Sequence, residues 1–104
     1  MNKYEKDGKI AVVVAPKYGH AFVTEWNEKY PQLKFDPVLV EHILNGVDHD
    51  TLIGYIRDTY PEIEYFGDGI LGIQWVPRGV MFQLRSYDGA EWAEILDLTK
   101  WEMA

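Results

Sequence analysis

Few side chains in this sequence could do chemistry. Ser86 is its one serine, and the run Leu84-Arg85-Ser86-Tyr87-Asp88 lacks the G-x-S-x-G elbow that exposes a nucleophilic hydroxyl at a strand-to-helix turn. No pair among His20, His42 and His49 has the i, i+4 spacing of a helical zinc site. Asp48-His49-Asp50 sets an imidazole between two carboxylates, but adjacent side chains diverge, and an Asp ahead of a helix is accounted for by capping. With no cysteine in the chain, thiolate nucleophiles, Cys-ligated metals and disulfides are excluded. Glu62 with Glu64, and Glu91 with Glu94, read mostly as carboxylates of a solvated face, with a hydrolase that brings two of them together across a cleft as a third reading. Catalytic residues, a metal site and a cofactor are therefore not expected.

Gly67-Asp68-Gly69-Ile70-Leu71-Gly72 matches the dinucleotide fingerprint G-x-G-x-x-G letter for letter. That motif works when it follows a strand and opens a helix whose N-terminal amides hold a pyrophosphate. Here the following segment, Ile70 to Val76, has strand character and runs into Pro77. A bend in a sheet explains the glycines better than a nucleotide does.

Binding chemistry has better candidates. Lys17, Tyr18, Gly19 and His20 form a loop after an apolar run. Glycine there lets backbone approach a ligand closely. Tyr18 and Trp26 could stack a planar group, Thr24 and Asn27 could read its polar edges, and Arg78 or Arg85 could meet a phosphate. These residues point to a small nucleotide-like ligand.

The elements that must position them can be read from pattern. Lys9 to Ala15, β-branched and apolar between Gly8 and Pro16, predicts a central strand buried on both faces. Ala21 to Pro31 fits a loop or a short helix, with Phe22, Trp26 and Tyr30 on one side. Asp36 as N-cap, Pro37 at the first helical position and Gly46 past the end predict a helix over 37–45, with Leu39, Val40, Ile43 and Leu44 inward. A second helix is predicted over about 50–60, capped by Asp48 or Asp50, with Leu52, Ile53 and Ile56 inward and Pro61 ending it. Strand material follows at 63–66 and 70–76. Pro77-Arg78-Gly79 predicts a hairpin to Val80–Ser86, and Tyr87-Asp88-Gly89 predicts another to Ala90–Leu96. The expected fold is α+β, a small mostly antiparallel sheet with two short helices packed on one face. Residues 1–104 are expected to form a single domain, with 1–8 and 97–104 as terminal extensions.

A net charge of −7, from 17 acidic against 10 basic residues, repels phosphate backbones and disfavours nucleic acid as a partner. The first residues are too polar for a secretory signal, and no run is long enough to span a bilayer, so a soluble cytoplasmic protein is expected. The aromatic content of 14%, with four tryptophans and seven tyrosines, exceeds what so small a core needs and favours a contact surface. Exposed aromatics and an unpaired sheet edge predict a homo-oligomer.

The strand and loop Val12-Val13-Val14-Ala15-Pro16-Lys17-Tyr18-Gly19 leading to Thr24-Glu25-Trp26-Asn27, and Ser86-Tyr87-Asp88-Gly89-Ala90-Glu91 after Val76-Pro77-Arg78-Gly79, resemble small accessory proteins of tailed phages and prophages. The resemblance spans most of the chain. It implies an accessory protein acting in the cytoplasm of an infected bacterium and brings no catalytic residues. The expected function is non-enzymatic sequestration of a nucleotide-like ligand, such as a host immune signal. The alternative is a protein-binding inhibitor of a host enzyme that uses tryptophan anchors and an acidic surface for steering.

Overall fold

Strand β2, Lys9–Val14, organises the protein. The computed structural model describes residues 2–17, 22–63 and 71–96. Alternate residues of β2 enter two different apolar clusters, because successive side chains in a strand point to opposite faces. Ala11, Val13 and Ala15 pack with Leu33, Leu39, Val40, Ile56, Tyr60 and Ile63. Val12 and Val14 pack with Val76 and Ala93. Continuous β-branched character thus reflects burial on both sides, as the sequence predicts.

Three antiparallel strands form the first sheet, in the order β1 (Glu5–Lys6), β2 and β3 (Gly72–Pro77). β1 turns into β2 through Asp7 and Gly8, both at positive φ, the two-residue geometry that matches strand twist. Residues 5–8 therefore belong to the sheet and are not an extension. A second sheet is the hairpin of β4 (Phe82–Tyr87) and β5 (Ala90–Ile95), closed by Asp88-Gly89 at positive φ. That hairpin is the one the sequence predicts over Tyr87-Asp88-Gly89. The predicted hairpin across Pro77-Arg78-Gly79 does not form: β3 pairs with β2, and β4 pairs with β5. A turn at 78–79 reverses the chain, but the following strand crosses to the other layer.

Helices cover one face and the hairpin covers the other. α1 is a single turn, Val23–Trp26; a 3-10 turn follows at Leu33–Phe35. α2, Pro37–Leu44, begins at its predicted cap: Asp36 Oδ1 accepts from the amides of Val38 (3.0 Å) and Leu39 (3.2 Å). Leu39 and Val40 are buried, whereas Leu44, expected inward, is exposed. α3, His49–Thr59, is capped by Asp48, which accepts from the Thr51 amide at 2.7 Å. The Thr51 side chain first, and then its amide, holds the Asp48 carboxyl below its ordinary value.

Asp36 also ties the two longer helices together. It is fully buried, and its Oδ2 accepts from the hydroxyls of Tyr55 (2.7 Å) and Tyr60 (2.6 Å). Both carboxylate oxygens are thus satisfied, as a buried charge requires. Burial first, then the hydrogen bond to Asp36, pushes the Tyr55 phenol up to about 12 and the Tyr60 phenol higher still.

Candidate functional site

The predicted loop site does not assemble from the described residues. Lys17 is exposed just past the end of β2, while Tyr18, Gly19 and His20 lie outside the described residues. Thr24 is committed internally, its amide and Oγ1 both donating to Glu91 Oε2 at 2.6 Å. Trp26 packs on the core with its ring 6.1 Å from that of Tyr30. Tyr30 in turn meets Tyr60 edge-on at 5.1 Å. Asn27 accepts from Lys34 Nζ at 2.7 Å. Burial, and secondarily the charge of Lys3, lowers the pKa of that lysine.

The arginines stand elsewhere. Arg78 follows the end of β3 that pairs with Lys9, its amide donating to the Gly8 carbonyl and its guanidinium 3.5 Å from Glu5. The Thr24 region follows the other end of β2, so at about 3.3 Å per residue the two are separated by roughly the strand's full length. Arg85 lies on the hairpin, with Nε 3.1 Å from Glu94. Arg78 therefore does not converge with Thr24, Trp26 and Asn27, and Arg85 is paired with Glu94 on the hairpin.

Glu91 occupies the amide donors between the end of β2 and the start of α1. It is only 3% exposed, against the solvated position expected from sequence. Its Oε1 accepts from the amides of Ala15 (2.8 Å) and Val23 (3.2 Å). Oε2 accepts from the amides of Phe22 (3.0 Å) and Thr24 and from the Thr24 hydroxyl. Amide donors at a helix start form a natural anion site, and here the protein's own carboxylate fills it. The Glu91 amide also donates to the Ala15 carbonyl at 2.8 Å. Gln74 fastens the hairpin further along: its Nε2 donates to the Ala93 carbonyl and its Oε1 accepts from the Ala93 amide, both at 2.8 Å.

With β5 anchored in this way, the hairpin turns a distinct face to solvent. The register pairs Gln83 with Glu94, Arg85 with Trp92 and Tyr87 with Ala90, and alternation places these six on the side opposite Leu84 and Ala93. Of the seven strongly exposed large apolar side chains among the described residues, five fall between positions 80 and 95: Val80, Met81, Tyr87, Trp92 and Ile95. A groove of about 540 Å³ runs along the open end of the ribbon, lined by Met81, Phe82, Gln83, Arg85, Glu94, Ile95 and Leu96. Apolar walls carrying one cation and one carboxylate suit recognition of a protein surface. Sequence reasoning found Arg85 but missed Met81, Trp92 and Ile95. The period-two alternation around the Asp88-Gly89 turn was the signal that could have placed Trp92 outward.

Among the described residues, no cluster of His, Asp or Glu could hold a metal ion, and no helix is long and apolar enough to cross a membrane. Compared with known proteins, the chain matches no family model, no curated protein and no solved structure. What is established is an antiparallel α+β domain whose hairpin exposes an aromatic face.

Proposed function

We propose that this chain is a non-catalytic accessory protein that binds a basic partner protein through the outer face of the β4–β5 hairpin. The observation that carries it is the exposure of Met81, Tyr87 and Trp92 on that face, with Trp92 as the anchor and Arg85 and Glu94 beside it. Tryptophan is the residue type most often found at the energetic centre of an interface. The chain's charge of −7 supplies long-range attraction for a basic surface. The resemblance to phage accessory proteins gives the partner a setting, the cytoplasm of an infected bacterium. Sequestration of a nucleotide-like ligand has less support, because Thr24, Trp26 and Asn27 already have partners inside the fold.

Bacterial lysate passed over immobilised wild-type, Trp92→Ala and Val38→Ala chains tests this function. The expected result is a basic protein retained by the wild type and by Val38→Ala. Retention falls by about 30-fold or more for Trp92→Ala, the loss of a hot-spot side chain. It also weakens as salt is raised. A stoichiometric small ligand seen by native mass spectrometry, with no protein whose retention depends on Trp92, would overturn the proposal in favour of sequestration.

A further inference from the structure

The open edge of β4 carries a second interaction surface. The Leu96 amide donates to the Met81 carbonyl at 2.8 Å, which makes 81 and 96 a hydrogen-bonded pair. Such pairs alternate in antiparallel sheets, so Phe82, Leu84 and Ser86 on β4, and Glu91, Ala93 and Ile95 on β5, point their amides and carbonyls away from the hairpin. On β5, Ala15 takes the Glu91 amide, and Gln74 takes both backbone groups of Ala93. On β4, none of the outward groups of Phe82, Leu84 and Ser86 has a hydrogen-bond partner among the described residues.

The other edges are blunted. β1 has two residues. On β3, the pairing of Arg78 with Gly8 directs Ile73, Trp75 and Pro77 outward, and proline has no N–H to offer. β4 has neither device: it is six residues long, Phe-Gln-Leu-Arg-Ser-Tyr, without proline, glycine or a carboxylate. An edge of that kind is a template for another strand.

We propose that this edge pairs with β4 of a second copy, making a two-fold dimer with Leu84 on the axis. Antiparallel self-pairing must oppose outward residues to outward residues. The register that overlaps 81–87 completely sets Leu84 against the partner's Leu84 and Phe82 against the partner's Ser86. On the solvent face it sets Gln83 against the partner's Arg85, and Met81 against the partner's Tyr87. Met81 and Tyr87, each 68% exposed, are the two most exposed large apolar side chains described, and this single register covers both, twice over by symmetry. It opposes no like charges. β4 carries one cation and no anion, which locally relieves the repulsion between two acidic chains. Four strands, β5-β4 and their symmetry mates, become one continuous sheet. Trp92 lies on β5, away from the seam, so the dimer goes beyond the partner-binding function and is testable apart from it.

Sedimentation equilibrium from about 10 μM to about 1 mM, the range suited to a small interface, tests the dimer. Wild type is expected to dimerise, and Trp92→Ala equally so. Met81→Glu with Tyr87→Glu, which opposes like charges at both ends of the seam, is expected to weaken the dimer at least about tenfold. Met81→Glu with Tyr87→Lys restores it, because the charges then face each other only in the proposed register. In the wild type, exchange at the amides of Phe82, Leu84 and Ser86 slows as concentration rises. A monomer throughout, a dimer indifferent to both double variants, equal weakening by both, or concentration-independent exchange at those amides would each overturn the proposal.

Discussion

Glu91 has the heaviest consequences of any single side chain here. Five donors converge on its carboxylate, and each buried donor left unmade costs about 1–3 kcal/mol. Glu91→Ala is expected to destabilise the fold by at least about 3 kcal/mol in urea titrations, whereas the neighbouring exposed Glu94→Ala changes little. Sequence could not reveal this, because the donors are mainly backbone amides 67 to 76 positions away and carry no side-chain signature. Asp36 was more legible: its capping role follows from Asp-Pro, although its grip on Tyr55 and Tyr60 does not. Those two phenols are held neutral, with pKa values raised above the ordinary 10.0. Their contribution to stability is fully present below pH 10 and declines above it as the unfolded chain releases its phenolic protons; that of Tyr55 is lost as pH rises through about 12, and that of Tyr60 only higher. A urea midpoint that begins to fall near pH 10 would show it, and Tyr55→Phe should flatten part of the decline.

At the scale of elements, local signals translated well and distant pairings did not. Caps and stops lie within a few residues of the helices they bound, so α2 and α3 appear almost where the sequence places them. The turn at Asp88-Gly89 was equally legible. The matching Asp7-Gly8 turn was overlooked because its strand β1 has only two residues. The partner of β3 lies some sixty positions upstream, and adjacency in sequence wrongly favoured β4. The two sheets meet instead through Gln74, whose amide behaves like one more residue of a ladder alongside Ala93. Gln74→Ala strips both partners from Ala93 and should cost about 2 kcal/mol. Amide exchange at Ala93 should accelerate more than exchange in the Asp36-capped helix α2.

For the whole molecule, the charge of −7 sets two opposed salt responses. Two acidic copies repel, so salt should tighten the β4-edge dimer; a basic partner is attracted, so salt should weaken its capture. Measuring both between about 50 mM and 500 mM salt separates the two surfaces without any substitution. Of the candidate site, only Arg85 was legible in the sequence. The aromatic excess announced a contact surface without saying which tryptophan forms it: Trp26 packs against the core, and only the alternation counted from the Asp88-Gly89 turn places Trp92 outward.

The distance over which Glu91 reaches α1 also orders events in time. A four-residue helix cannot persist unaided, since nucleation is its main cost. The carboxylate that gathers its first amides is more than sixty positions further along the chain. During synthesis from the N-terminus, Phe22 to Thr24 must therefore wait, unstructured, until β5 has emerged and docked, while the locally capped α2 and α3 can form earlier. Protection of the Val23 and Thr24 amides in a refolding experiment then serves as a clock for the last step of assembly, the arrival of the hairpin.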